Sequence, residues 1–317
     1  PVSTVEEAAR AAREAGADAL MSVGGGSAID TAKGVAALLA EGGPLSRFRT
    51  RFTPPDRKET PPLPAPKLPH LAIPTTLSGG EYSYSAALTE AGGKFLIADP
   101  KLAPRVVLLD PVAAATCPPR LLAASGMNAL AHCVEALYSL HHQPIGDALC
   151  MAGVERLAAW LPRAVEHPDD LEARGEVQMG ACLAGLGVYS AWTGIHHAIV
   201  HVVGGRSGVP HAMIHAVVLP YAMRYNLDVT TPTQARIARA MGAAEGRDEA
   251  ATARAAPEMV LEMSRRMGLP RRLRELGIPR EMLPLMAEDA LGDFSVYTNP
   301  KPITSASQVH EVLEAAW

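Results

Sequence analysis

The chain changes texture at Cys117-Pro118-Pro119, and that change limits what it can fold into. Before it, short apolar runs alternate with helical stretches: "ALMSVGG" reads as a strand ending in glycines, "SAIDTAKGVAALLA" as a helix, "HLAIPTT" and "RVVLLDP" as further strands. Strands joined through helices pair in parallel, so residues 1–117 are expected to form an α/β domain on a parallel sheet. After the prolines the segments are long, periodic and rich in Ala, Leu and Met through to Trp317, which predicts an all-helical domain over 118–317. The opening "STVEEAARAAREAGADAL" predicts a helix capped by Ser3 or Thr4, with Glu6 and Glu7 in its first turns. The proline-dense stretch 54–70 is expected to be a surface connection between a helix and a strand rather than a polyproline ligand.

At 317 residues, 48% hydrophobic and 20% charged, the chain can bury one or two substantial cores, as expected of roughly two domains. A net charge of -4 with no basic stripe argues against a nucleic-acid partner. No apolar run reaches the roughly 18 residues that would span a membrane, leaving a small molecule as the expected partner. Four cysteines without any CxxC spacing predict reduced thiols in a cytoplasmic chain, not a disulfide framework or a zinc ribbon.

Five motifs carry chemistry. In "SVGGGSAID", Gly24, Gly25, Gly26 and Ser27 stand between a strand and a helix, where residues without Cβ let backbone N–H groups approach a phosphate. The pattern is not GxGxxG, and taken alone it is equally a turn. A second loop, "PTTLSGGEYS", offers Thr75, Thr76 and Ser78 after another strand, at the carboxyl edge where α/β sheets bind ligands. In "GMNALAHCVEALYS", Asn128 and His132 share a helix face one turn apart. "GIHHAIVHVVGG" places His197 and His201 four apart, and "GVPHAMIH" adds His211 and His215. A lone histidine on an apolar helix is usually a core residue, but i, i+4 pairs on separate helices can converge on one cation or one substrate.

Together these motifs resemble the iron-containing (group III) alcohol dehydrogenase family, and within it the maleylacetate reductase branch, over almost the whole chain. The resemblance implies an N-terminal dinucleotide domain, a C-terminal helical catalytic domain, NADH or NADPH with its nicotinamide in the cleft between them, and a homodimer. It puts the pyrophosphate loop on Gly24 to Ser27 with Asp30 close by, the second cofactor loop on Thr75, Thr76 and Ser78, and a lysine near the nicotinamide ribose on Lys94. The family's metal ligands, one Asp and three His, fall on Asn128, His132, His197 and His211, and the histidine near the reacting carbon falls on His201. An amide oxygen in place of a carboxylate weakens the hold on iron or zinc, so metal occupancy is not expected to be full. The maleylacetate reductase branch works without the metal.

Two departures accompany the resemblance. The family's opening strands, with the acidic residue that contacts the adenosine ribose, have no counterpart before Pro1, which suggests a partial chain. Arg206 stands where the family more often has a small or aromatic residue, and is either a substrate-carboxylate contact or an exposed arginine. The implied reaction is hydride transfer to a small oxo acid, maleylacetate to 3-oxoadipate. A metal-dependent alcohol or aldehyde dehydrogenase is the alternative, and a degenerate, non-enzymatic member the third reading.

Overall fold

A computed structural model describes residues 1–53, 57–90, 93–246 and 248–317. They form two compact units, Pro1–Cys117 and Pro118–Trp317.

In the first unit the elements run α1 (Val2–Glu14), β1 (Leu20–Gly24), α2 (Gly26–Glu41), β2 (Arg51–Thr53), β3 (Arg57–Glu59), β4 (His70–Pro74), β5 (Ser85–Glu90), β6 (Gly93–Ala98), β7 (Val106–Val107) and α3 (Pro111–Ala115). The apolar positions of α1 recur at helical spacing, and Val2, Val5 and Ala9 are buried against α2. Pro1 occupies its cap position and no side chain caps it; Ser3 and Thr4, expected as caps, lie inside the helix.

β4 is the middle strand of a three-stranded parallel sheet, order β1-β4-β7, with Leu20 opposite His70 and Gly24 opposite Pro74. One face carries Ser22 and His70, buried and joined Oγ to Nε2 at 2.8 Å. Parallel sheets are ordinarily covered on both faces, yet Met21 and Val23 on the opposite face are 66% and 57% exposed. Two antiparallel pairs, β2–β3 and β5–β6, stand outside this sheet. The first falls partly in the proline-dense stretch, whose residues 54–56 lie outside the described ones. That stretch is therefore more than a connection. The core of the unit gathers Val5, Val35, Leu45, Leu63, Leu88, Phe95 and Ile97, each worth roughly 1.5–3 kcal/mol on burial.

The second unit contains α4 (Pro119–Tyr138), α5 (Pro144–Glu166), α6 (Leu171–Val188), α7 (Ile195–Ser207), α8 (His211–Ala240), α9 (Glu249–Arg266), α10 (Leu283–Ala290) and α11 (Ala306–Ala316). Helix α4 is apolar nearly all round and packs against α5, α6 and α8. From Leu122 to Tyr138 every residue except His132 is buried. Side chains of Gln143, Asp170 and Asp248 cap α5, α6 and α9, and α7 ends at Gly208, whose φ of 71° suits glycine. Among the described residues no helix is long and apolar enough to cross a membrane.

Candidate active site

The two loops that follow β1 and β4 lie side by side in the first unit, because their strands are parallel neighbours and end at the same edge. Thr75 N–H donates to Gly24 O at 2.9 Å. A Cβ added at Gly25 would lie 3.0 Å from Thr76 Cγ2, and one at Gly26 would lie 3.1 Å from Ser78 Oγ. The glycines therefore let the loops close on each other as well as leaving backbone N–H groups open. No side chain caps the N-terminus of α2, so its first-turn amides suit an anion such as a pyrophosphate. Gly24, Gly25, Gly26, Ser27, Thr75, Thr76 and Ser78 are thus brought together.

Asp30 and Lys94 are not part of that surface in the same way. The Asp30 carboxylate accepts the Ala87 N–H at 3.0 Å and lies 3.8 Å from Lys33 Nζ, tying α2 to β5. Lys94 is exposed on β6, opposite Thr89.

In the second unit, α4 supplies Asn128 and His132, α7 supplies His196, His197 and His201, and the start of α8 supplies His211 and His215. Their rings form one continuous cluster. His132 stacks on His197 with centroids 4.9 Å apart, and His201 stacks on His211 at 5.4 Å. His215 lies 4.7 Å from His197 and 4.6 Å from His211. Accessibility is graded: His201 has a side chain 44% exposed, whereas His196, His197 and His215 are buried. Asn128 is buried on the same face of α4.

Two carboxylates stand behind the cluster. Glu135 is fully buried; its Oε1 accepts the backbone N–H groups of Gly194 at 2.9 Å and His196 at 3.1 Å, and its Oε2 faces Nδ1 of both His196 and His197. Burial alone would raise its pKa, but His197 and His196 outweigh burial and hold the carboxyl well below the usual range. An ionised carboxylate only accepts, so His197 donates from Nδ1 and its Nε2 points the other way. Asp293 does the same for His201, with Oδ2 2.7 Å from Nδ1. Burial raises this carboxyl too, and His201 overcomes it, bringing the carboxyl down to about 2.

Enclosure of the ring within the cluster lowers His132 to about 3, although the residue as a whole is only partly buried, and burial lowers His215 well below its ordinary value. Of the two roles open to these rings, charged donor or neutral partner, His132 and His215 take the neutral one. His201, exposed and backed by Asp293, is the ring best placed to carry positive charge.

Whether the cluster suits a cation can be tested on its nitrogens. His132 Nδ1, His197 Nε2 and both nitrogens of His215 are enclosed without a hydrogen-bond partner, which a divalent ion would relieve. The donors whose ligand atoms lie within 4.8 Å of one another among the described residues are His196, His197 and His215. His196 is already committed, Nδ1 to Glu135 and Nε2 to His215 O. The enclosed neutral nitrogens of His132, His197 and His215 suit a divalent cation by their chemistry, whereas the group that converges within 4.8 Å is not the expected set of Asn128, His132, His197 and His211.

Glu135 was not singled out in the sequence, although it lies three residues after His132 and seven after Asn128, on the same helix face. Asp293 has no local signal; it arrives from 92 residues beyond His201. Arg206 is bonded through Nε to Asp289, so the exposed-arginine reading describes it.

Comparison with known proteins identifies the family. The family described as iron-containing alcohol dehydrogenase matches residues 1–111, and its C-terminal part, described as Fe-containing alcohol dehydrogenase family, C-terminal, matches residues 122–317. Maleylacetate reductase 1 of Cupriavidus pinatubonensis is 31% identical over 96% of this chain and 75% of its own length. Lactaldehyde reductase of Escherichia coli K12 is 32% identical over 100% of this chain and 81% of its own. The crystal structure of a 1,3-propanediol oxidoreductase superposes with a TM-score of 0.91 at 31% identity, covering 99% of this chain and 80% of that one.

Proposed function

The chain belongs to the iron-containing alcohol dehydrogenase family and is a nicotinamide-dependent oxidoreductase; from that premise we propose that it reduces a small conjugated oxo acid of the maleylacetate type. The observation that carries this reading is the cluster of imidazoles backed by Glu135 and Asp293, with a neutral Asn128 at the fourth ligand position.

A nicotinamide cofactor supplies the hydride, held by Gly24 to Ser27 and by Thr75, Thr76 and Ser78. The chain's own task is to receive the negative charge that gathers on the substrate oxygen. His201, with its Nδ1–H given to Asp293 and its side chain partly exposed, can donate from Nε2 when protonated. His197 is locked by Glu135 and presents Nε2 to the cluster. An enone diacid spreads the developing charge over a conjugated system, so it asks less of such donors than a plain aldehyde does.

The partnerless nitrogens of His132, His197 and His215 favour a second reading, a metal-dependent alcohol or aldehyde dehydrogenase. There Asn128, His132, His197 and His211 would hold iron or zinc, and the ion would act as a Lewis acid on a carbonyl.

Oxidation of NADH and NADPH, followed with maleylacetate beside simple aldehydes and with and without EDTA, separates the two. We expect maleylacetate to be preferred and activity to survive chelation. Complete loss with EDTA, restored by added metal, assigns the chain to the second reading.

A further inference from the structure

We infer that Lys33 is a positioning residue for dinucleotide binding: its buried ammonium fastens the loop after β4 to the helix whose first turn presents the glycine loop. This rests on the reading of Gly24 to Ser27 and Thr75 to Ser78 as the cofactor loops.

Lys33 lies two turns into α2 and is 0% exposed, a rare place for an ammonium unless its donors are all used. Nζ donates to Gly80 O at 2.6 Å and to Ser85 O at 2.8 Å. The first carbonyl belongs to the opening residue of the short 3-10 turn Gly80–Tyr82, which begins two residues after Ser78, and the second lies three residues beyond the turn. One turn earlier on α2, Asp30 accepts the Ala87 N–H and lies 3.8 Å from Nζ. Helix α2 therefore grips segment 80–87 at three backbone groups. That segment continues Thr76 and Ser78, which touch Gly25 and Gly26. The spacing of the two loops is set through Lys33.

Charge gives Lys33 a second task. Asp30 and the buried Glu81 both lie under the loops, and Glu81 Oε2 has no hydrogen-bond partner. Lys33 is the cation that faces both. A neutral residue in its place leaves two carbonyls without a donor and leaves negative charge beneath a surface meant for a diphosphate.

The experiment measures NADH and NADPH affinity by fluorescence titration, together with KM, kcat and thermal unfolding, for wild type, Lys33→Met, Lys33→Gln and Gly25→Val. Lys33→Met is expected to raise Kd and KM for the dinucleotide at least tenfold while kcat at saturation stays within about threefold. Lys33→Gln, whose amide can still serve one carbonyl, is expected to fall between it and wild type and serves if Lys33→Met does not fold. Wild-type affinity in the folded Lys33 variants, with only a lower melting temperature, overturns the inference while Gly25→Val still weakens binding. If Gly25→Val also binds normally, the reading of the loops fails as well.

Discussion

At the scale of single residues, the site depends on what stands behind each histidine. His197 and His201 share a face of α7, yet a different carboxylate holds each: Glu135, fully buried, and Asp293, which approaches from the far end of the unit's sequence. Substituting Ala at His201 removes a partly exposed donor whose interaction is expected to form mainly as hydride arrives. A loss of about 3 kcal/mol, roughly a hundredfold in kcat, is expected with dinucleotide affinity nearly unchanged. Near-normal kcat in a protein that merely melts earlier would reduce His201 to a packing residue. Glu135→Gln keeps the shape but removes the charge and turns one acceptor into a donor facing Nδ1–H groups. Loss of charge-assisted hydrogen bonds of about 1.5–3 kcal/mol predicts a kcat roughly ten- to a hundredfold lower. Stability should fall with it, because Glu135 also receives the N–H groups at the start of α7. Gly194 permits that contact: a Cβ there would lie 3.0 Å from Glu135 Oε1.

At the scale of elements, the long helices of the second unit approach one another through glycines. A Cβ at Gly126 would come within 2.3 Å of Leu161 Cδ2, one at Gly153 within 2.7 Å of Cys133 Sγ, and one at Gly187 within 2.3 Å of Cys150 Sγ. Gly187→Ala gains up to about 1 kcal/mol of helix propensity. Overpacking a tight crossing costs about 1–3 kcal/mol, so the net effect should be destabilising. Denaturant unfolding should show this, and Cys150→Ala in the same chain should restore much of the loss by removing the sulfur. Equal destabilisation in the double variant would mean that the crossing tolerates the methyl and the cost lies elsewhere. The helices and the parallel strands were legible because their periodicities are local: "HLAIP" alternates in burial, and α4 is apolar all round. The pairs β2–β3 and β5–β6 were not, because a short mixed run such as "SAALTE" has no period that excludes other states.

At the scale of the whole molecule, buried charge makes folding depend on pH. Burial raises Glu81 from 4.5 to about 7, and it lowers Lys33 from 10.5 to about 8. The folded chain binds the Glu81 proton more tightly than the unfolded one, so this contribution is complete below pH 4.5 and is lost as pH rises to about 7. Lys33 has the opposite sign: the unfolded chain holds its proton more tightly, so the associated stability returns as pH rises from about 8 to 10.5. Unfolding free energy of the first unit should decline by up to about 3 kcal/mol from pH 4.5 to 7 through Glu81, and Glu81→Gln should flatten that decline. A slope unchanged by the substitution would place the titrating group elsewhere.

What the sequence determined by itself was whatever depends on neighbours along the chain: the change from α/β to helical texture, the strand-to-helix glycine loop, and the i, i+4 pairs Asn128/His132 and His197/His201. Each follows from a helix or strand repeat that a few adjacent residues already contain. The tertiary structure alone decided which partners those groups meet. Lys33 became a staple only when α2 and the segment after β4 were brought together, 47 and 52 residues apart. His201 acquired Asp293, and Glu135 became the shared acceptor of His196 and His197, because a buried charge is tolerated only where donors converge on it from separate elements. That convergence is a property of packing in three dimensions, and no spacing in the chain encodes it.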